Sequence, residues 1–164
     1  MIEHLSKPEY VHVLLNPLPV YGLAVGVLGL IIALLSRTRA ARVTALALVM
    51  VSAASAWPVY HYGEAGYDRV KSMVDEAGDK WFDEHLRRGE QLIYAFYAVA
   101  ALSAVAIAAE FISLKSAVPL AIATSILATA NLGVGAYIAY AGGHIRHREF
   151  RFEPAPESQS RDAE

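Results

Sequence analysis

Four stretches of this chain contain no Asp, Glu, Lys or Arg, and they limit its fold more than any other feature. They cover residues 11–35, 43–63, 91–109 and 116–143, runs of 25, 21, 19 and 28 residues. A helix needs about 20 apolar residues to cross the hydrocarbon of a bilayer. No water is present there to pair exposed N–H and C=O groups, so the spanning chain must be helical. A soluble bundle would show polar positions every third or fourth residue, and residues 23–35 have no polar face at all. The sequence therefore predicts an all-α fold: an antiparallel four-helix transmembrane bundle in one membrane domain, residues 1–150. Its spans lie near 11–35, 43–63, 91–112 and 116–143. Residues 151–164, rich in Pro, Glu and Ser, predict a disordered tail.

Composition excludes several classes. Hydrophobic residues make up 55% and charged residues 18%, against about 25% charge in ordinary soluble domains. The net charge of −2 offers no basic surface for nucleic acid. With no cysteine, disulfides, thiolate metal sites, iron–sulfur clusters and covalent c-type haem are all excluded.

Basic residues in short loops set orientation. Residues 36–42 hold Arg37, Arg39 and Arg42 and no acid, and the third connection, around Ser113 and Ser116, holds Lys115. The second connection, residues 64–90, holds eight acids against five bases. This places the first and third loops in the cytoplasm of a bacterial inner (plasma) membrane protein. Both termini and the long second loop then lie outside. No basic n-region precedes residues 11–35, so the first span is expected to be retained rather than cleaved.

Local signals refine the spans. Pro17 and Pro19 are expected in the first turns of span one, and Pro58 is expected to kink or shorten span two. Gly22 and Gly26, the alanines of span three, and Gly133 and Gly135 allow close helix approach. Packing inside the bundle is the preferred reading and a homodimer face the second. Glu110, near the end of span three, is expected to reach the membrane interface. In the second loop Val70, Met73, Val74, Ala77 and Trp81 recur at helical spacing, predicting a short amphipathic extracytoplasmic helix broken at Gly78.

The six histidines carry the chemistry. His4, His12, His61, His85, His144 and His147 all fall at or beyond the outer span ends. Trp57, His61 and Glu64 share one helical face, and Tyr137, Tyr140, His144 and His147 another. Inward-facing, these would gather imidazoles and a carboxylate at the outer mouth. Such groups bind zinc, copper, iron or nickel, and two imidazoles on facing helices can grip haem b. Arg146 could then pair with haem propionates. An interfacial aromatic belt accounts for most of the outer Tyr and Trp residues.

The chain resembles a family of small four-span bacterial membrane proteins of unknown function. That family has a His-x-x-x-Asn-His-x-Pro-x-x-Gly pattern opening span one and a Gly-Gly-x-Ile-Arg-His pattern closing span four. The matching stretches run from His12 through Asn16 and Pro19 to Gly22, and from Gly142 to His147, with Gly63-Glu64 and His85 between them. Pro17 stands where the family pattern has its second histidine. The resemblance implies a haem- or metal-associated bundle and favours His85, His147 and Glu64 over His4 and His61.

The resulting expectation is a binding or electron-transfer module with a haem b or transition-metal site at the outer end. His85 and His147 are the leading ligands, then His12, His144 and Glu64, with Arg146 beside the cofactor. The alternatives are a cofactor-free accessory subunit of a larger membrane complex and, more weakly, a metal-dependent hydrolase using Glu64 as base.

Overall fold

The computed structural model describes residues 2–112 and 114–157. Part of the expected third connection, at Ser113, and residues 158–164 of the expected tail lie outside them. The described chain is helical: α1 (Pro8–Leu15), α2 (Leu23–Ser36), α3 (Arg39–Ala54), α4 (Ala56–Ala65), α5 (Tyr67–Lys71), α6 (Glu76–Ile112) and α7 (Leu114–Arg146), with short 3-10 turns at Ile2–Ser6 and Arg148–Phe150. Four helical stretches are long and apolar enough to cross a membrane: Pro8–Ser36, Arg39–Ala65, Glu76–Ile112 and Lys115–Arg146.

The first of these is one helix built around a defect. It starts at Pro8, so Pro17 and Pro19 fall in its interior and not in its first turn. Pro19 has no N–H to offer the Leu15 carbonyl. The chain adapts with a π-turn at Leu18–Gly22. There Tyr21 N–H and Gly22 N–H both donate to Pro17 O, at 2.8 and 3.4 Å. Pro58 acts as its sequence position implies. The helix breaks at Ser55, one turn before it, between α3 and α4.

The loop helix differs from expectation. Val70 lies in α5, Met73 and Val74 lie in a turn, and Ala77 and Trp81 belong to α6. Gly78 is no breaker. It sits in the first turn of α6, where Asp75 Oδ1 accepts its N–H at 2.8 Å as an N-cap. A Cβ at Gly78 would lie 2.5 Å from Ile145 O, so glycine is needed for close approach to the end of α7.

Between apolar helices in lipid there is little hydrophobic drive, and close packing must hold the bundle. Gly26 is the clearest instance: a Cβ there would meet the Val49 backbone at 3.1–3.2 Å. Gly22 similarly faces Ser52. The Gly22/Gly26 face thus packs on α3 within the chain. The two helical hairpins, α1–α4 and α6–α7, repeat one burial register. Buried Ala45, Leu46, Val49, Ser52 and Ala56 recur at the same spacing as Thr124, Ser125, Ala128, Asn131 and Gly135, and Leu23, Gly26, Leu30 and Ala33 recur as Phe96, Val99, Ser103 and Ala106.

Glu110 does not reach an interface. It is 1% exposed and receives Arg42 Nε at 2.6 Å and Nη2 at 2.8 Å. The two charges join the start of α3 to the end of α6, at the opposite end of the bundle from the histidines.

At the histidine end the start of the tail is latched down. Arg151 Nη1 lies 2.9 and 3.0 Å from the Asp75 carboxylate, and its Nε and Nη2 donate to His144 O and Ile145 O, both at 2.7 Å. These carbonyls belong to the last turn of α7, which has no intrahelical partners for them. Arg148 adds a 2.9 Å pair to Asp75. Arg151 first, then the Gly78 N–H and the neighbouring guanidinium charges, hold the Asp75 carboxyl down to about 2, against about 3.9 when unperturbed. A depressed carboxyl stabilises the fold fully above its unfolded value and loses that contribution as pH falls through its folded value. The latch is thus expected to hold from pH 7 to about 4 and to open between about 4 and 2. A nitroxide on Glu157→Cys, the only thiol in this cysteine-free chain, would report it. Its spectrum should sharpen over that window, and Asp75→Asn should sharpen it already at pH 7. An unchanged spectrum in the variant would rule the latch out.

A two-histidine cavity at one end of the bundle

Two histidines from separate hairpins face one cavity. His12 comes from α1 and His85 from the third turn of α6, and both line a space of about 640 Å³. Cofactor and ligand pockets fall in the range of about 300–1,000 Å³. Its walls are largely apolar, with Val20, Phe82, Leu86, Ile93, Phe96 and Ile138 among them, and its polar contributors include Asn16 and Arg146.

Each ring is anchored by the same device. His12 Nδ1 is 2.7 Å from Val59 O on α4, and His85 Nδ1 is 3.0 Å from Ile138 O on α7. A carbonyl only accepts, so each Nδ1 must carry the proton and donate it. In the neutral imidazole this leaves the lone pair on Nε2, the nitrogen free to bind a metal. The ring centroids are 6.3 Å apart and the planes cross at 85°. An ion held through one nitrogen of each ring at about 2.0–2.1 Å would need centroids roughly 5–6 Å apart, depending on the angle at the ion.

The rings are reached because glycine faces them. A Cβ at Gly63 would lie 2.9 Å from His12 Nδ1, and one at Gly142 would lie 3.1 Å from His85 Cε1. Each glycine is one helical turn beyond the carbonyl that anchors the ring. Arg88, the residue one turn after His85, fixes the same region of α7. Its Nη1 donates to Tyr137 O at 2.7 Å, its guanidinium lies 3.7 Å from the Tyr137 ring centroid, and its Nε pairs with Glu84 at 2.7 Å.

The other expected site residues are distributed differently. His147 borders the cavity but is exposed, its Nδ1 2.8 Å from Glu149 and its ring stacked on Phe150. Glu64 is exposed and accepts the Tyr60 hydroxyl at 2.9 Å. His144 is buried between Trp81 and Tyr140, with ring centroids at 4.4 and 4.3 Å, and its Nδ1–H donates to Tyr140 O. His144 Nε2 and Trp81 Nε1 are both buried without a hydrogen-bond partner among the described residues. His61 stacks on Trp57 and His4 lies against Tyr10. Arg146 is exposed at the rim, its Nη2 3.7 Å from Met73 Sδ. Among the described residues no group of three or more His, Asp or Glu side chains converges as a metal centre. The structure thus joins His85 to His12, not to His147, Glu64 or His144.

Spacing places Arg88 one turn after His85, on its face, but assigns no role to Gly63 and Gly142. For the glycines the available signal is their place in the two motif stretches, Gly63-Glu64 and Gly142 to His147.

The fold and site define a helical bundle, with four helical stretches long and apolar enough to cross a membrane and a two-imidazole cavity at one end. No protein-family model matches the chain, and neither does any curated protein or solved structure.

Proposed function

We propose that this chain is an integral membrane protein that holds haem b between His12 and His85 and passes single electrons through it. The carrying observation is the pair of imidazoles, both tied at Nδ1 and 6.3 Å apart across one cavity. Backbone-anchored Nδ1–H is the usual partner of a metal-binding imidazole, because it fixes the tautomer and raises the basicity of Nε2. A bare zinc ion would want four protein ligands or three and a water, and no third donor converges here among the described residues. Haem would bring most of its iron's ligands itself, so the His12 and His85 imidazoles would suffice to hold it. The apolar walls suit the porphyrin faces. Arg146, at the rim and in no ion pair with a described carboxylate, suits the propionates. Bound there, the haem supplies a one-electron iron couple. The protein's part is to orient the rings and to keep water from the iron.

The reading includes an antiparallel bundle in a bacterial inner membrane, with the histidine end and both termini outside. Arg37, Arg39 and Lys115 at the other end support that orientation. The resemblance of the His12–Gly22 and Gly142–His147 stretches to the small four-span family, Pro17 apart, supports the haem reading. An electron carrier needs a partner, and a larger membrane complex is the natural one.

The test is an absorption spectrum of detergent-purified protein, oxidised and dithionite-reduced, with metal analysis on the same sample and on a sample supplied with hemin. A Soret band with sharp reduced α and β bands is the expected result. No Soret band in either sample would overturn the proposal, and stoichiometric copper, zinc or iron without one would replace haem by a bare ion.

A further inference from the structure

The two histidine anchors are not merely alike; they are the same construction made twice. In the first hairpin a histidine near the start of α1 reaches a carbonyl on the partner helix, Val59 O, and a glycine one turn later, Gly63, makes room for the ring. In the second, a histidine near the start of α6 reaches Ile138 O, and Gly142 one turn later makes room. The register of buried positions repeats between the hairpins as well. Little of the sequence repeats with it. Leu30 corresponds to Ser103 and Val49 to Ala128, so the match lies in geometry and burial. Two equivalent hairpins facing one another place their equivalent histidines across the axis that relates them.

We propose that the cavity is a pseudo-twofold site formed by two copies of one hairpin, that its occupant is a planar molecule gripped alike on both faces, and that Gly63 and Gly142 are equivalent positioning residues. This rests on the haem reading for the occupant, because a metalloporphyrin presents one axial position on each face. It goes beyond that reading in assigning the two ligands equal roles and in assigning ring pose to Gly63 and Gly142, which line the same cavity. A methyl at Gly63 must push the His12 ring off its carbonyl, since 2.9 Å is shorter than real Cβ atoms tolerate. A methyl at Gly142, at 3.1 Å from His85, must displace that ring by a few tenths of an ångström. Gly133, on the same helix as Gly142, has nothing within 4 Å and serves as the control.

The experiment has two readouts on full-length protein in detergent. The first is ¹⁵N-histidine NMR of cofactor-free protein. His12 and His85 should both appear as Nδ1–H tautomers, with Gly63→Ala moving the His12 signals, Gly142→Ala moving the His85 signals and Gly133→Ala moving neither. The second is hemin titration. Gly63→Ala and Gly142→Ala should each weaken binding about 10–100-fold, the range seen when a ligand's outer support is lost, and should shift the spin state in the same direction. Wild-type protein that takes no hemin but shows the paired tautomers and glycine responses would sink the haem reading and leave the duplicated cradle standing. Protein that takes hemin but responds at only one glycine would overturn the pseudo-twofold site and leave the haem reading standing. Should a glycine variant fail to fold, the wild-type tautomers decide alone: opposite tautomers at His12 and His85 overturn the equivalence.

Discussion

Replacing either His12 or His85 with alanine should convert a six-coordinate haem spectrum to a five-coordinate one and weaken hemin binding by more than about 100-fold, beyond the 10–100-fold typical of losing an outer-shell partner. His147→Ala should leave both unchanged. The contrast separates two assignments. The Gly142–His147 motif favours His147 with His85, whereas the coordinates give His85 the partner His12, at 6.3 Å, and turn His147 toward Glu149 on an exposed turn. The motif still matters, but through its first residue, Gly142, against which the His85 ring lies. Each ligand variant also leaves its anchoring carbonyl, Val59 O or Ile138 O, with its ordinary helical donor, so folding should suffer little. Thermal unfolding by circular dichroism would check this. A Soret band lost in His147→Ala and kept in His12→Ala would reverse the assignment.

The bundle was legible in the sequence because lipid leaves so few alternatives. A charge-free run of sufficient length has only the helix available to it, and each of the four runs falls within one of the four helical stretches. Boundaries were harder. Gly78 carries a low helix propensity and reads as a breaker, yet propensity yields when a close approach needs a missing side chain, here to Ile145 O. Pro17 and Pro19 read as first-turn residues because proline is disfavoured inside a helix, whereas the chain is already helical from Pro8 and absorbs them with the π-turn at Leu18–Gly22. Within the site, periodicity shows which residues share a face of one helix but not which faces of two helices meet. That is why six histidines could be placed at one end while the His12–His85 pair could not be chosen from them. The Arg42–Glu110 pair was missed for the same reason. Each charge lies at the edge of its apolar run, where an interfacial reading is the default, and only the packing of α3 on α6 shows that they meet.

That pair should be the largest stability determinant of the end opposite the histidines. Glu110→Ala leaves the Arg42 guanidinium, 7% exposed, without its carboxylate, and arginine cannot shed its charge. Removing one partner of a buried pair costs about 3–5 kcal/mol, because the survivor remains buried and uncompensated. The charge at issue sits near the end of a membrane span, and a long arginine side chain can snorkel toward water, so the lower half of that range is expected. Arg42→Met in the same chain removes the stranded charge and keeps the apolar volume. The double variant should therefore recover most of the loss, since buried pairs exchanged for apolar residues are often neutral in stability. Arg42→Lys with Glu110 kept should itself destabilise, because a single ammonium cannot reproduce the two parallel bonds at 2.6 and 2.8 Å. Thermal unfolding in detergent of the two single variants and the double variant would measure the coupling. Single losses that simply add in the double variant would mean that the two side chains act independently, and that the contact seen here does not hold α3 to α6. Full recovery would instead show that the pair fixes which helices adjoin rather than how stable they are. That division suits a bundle whose remaining contacts are small residues packed against one another.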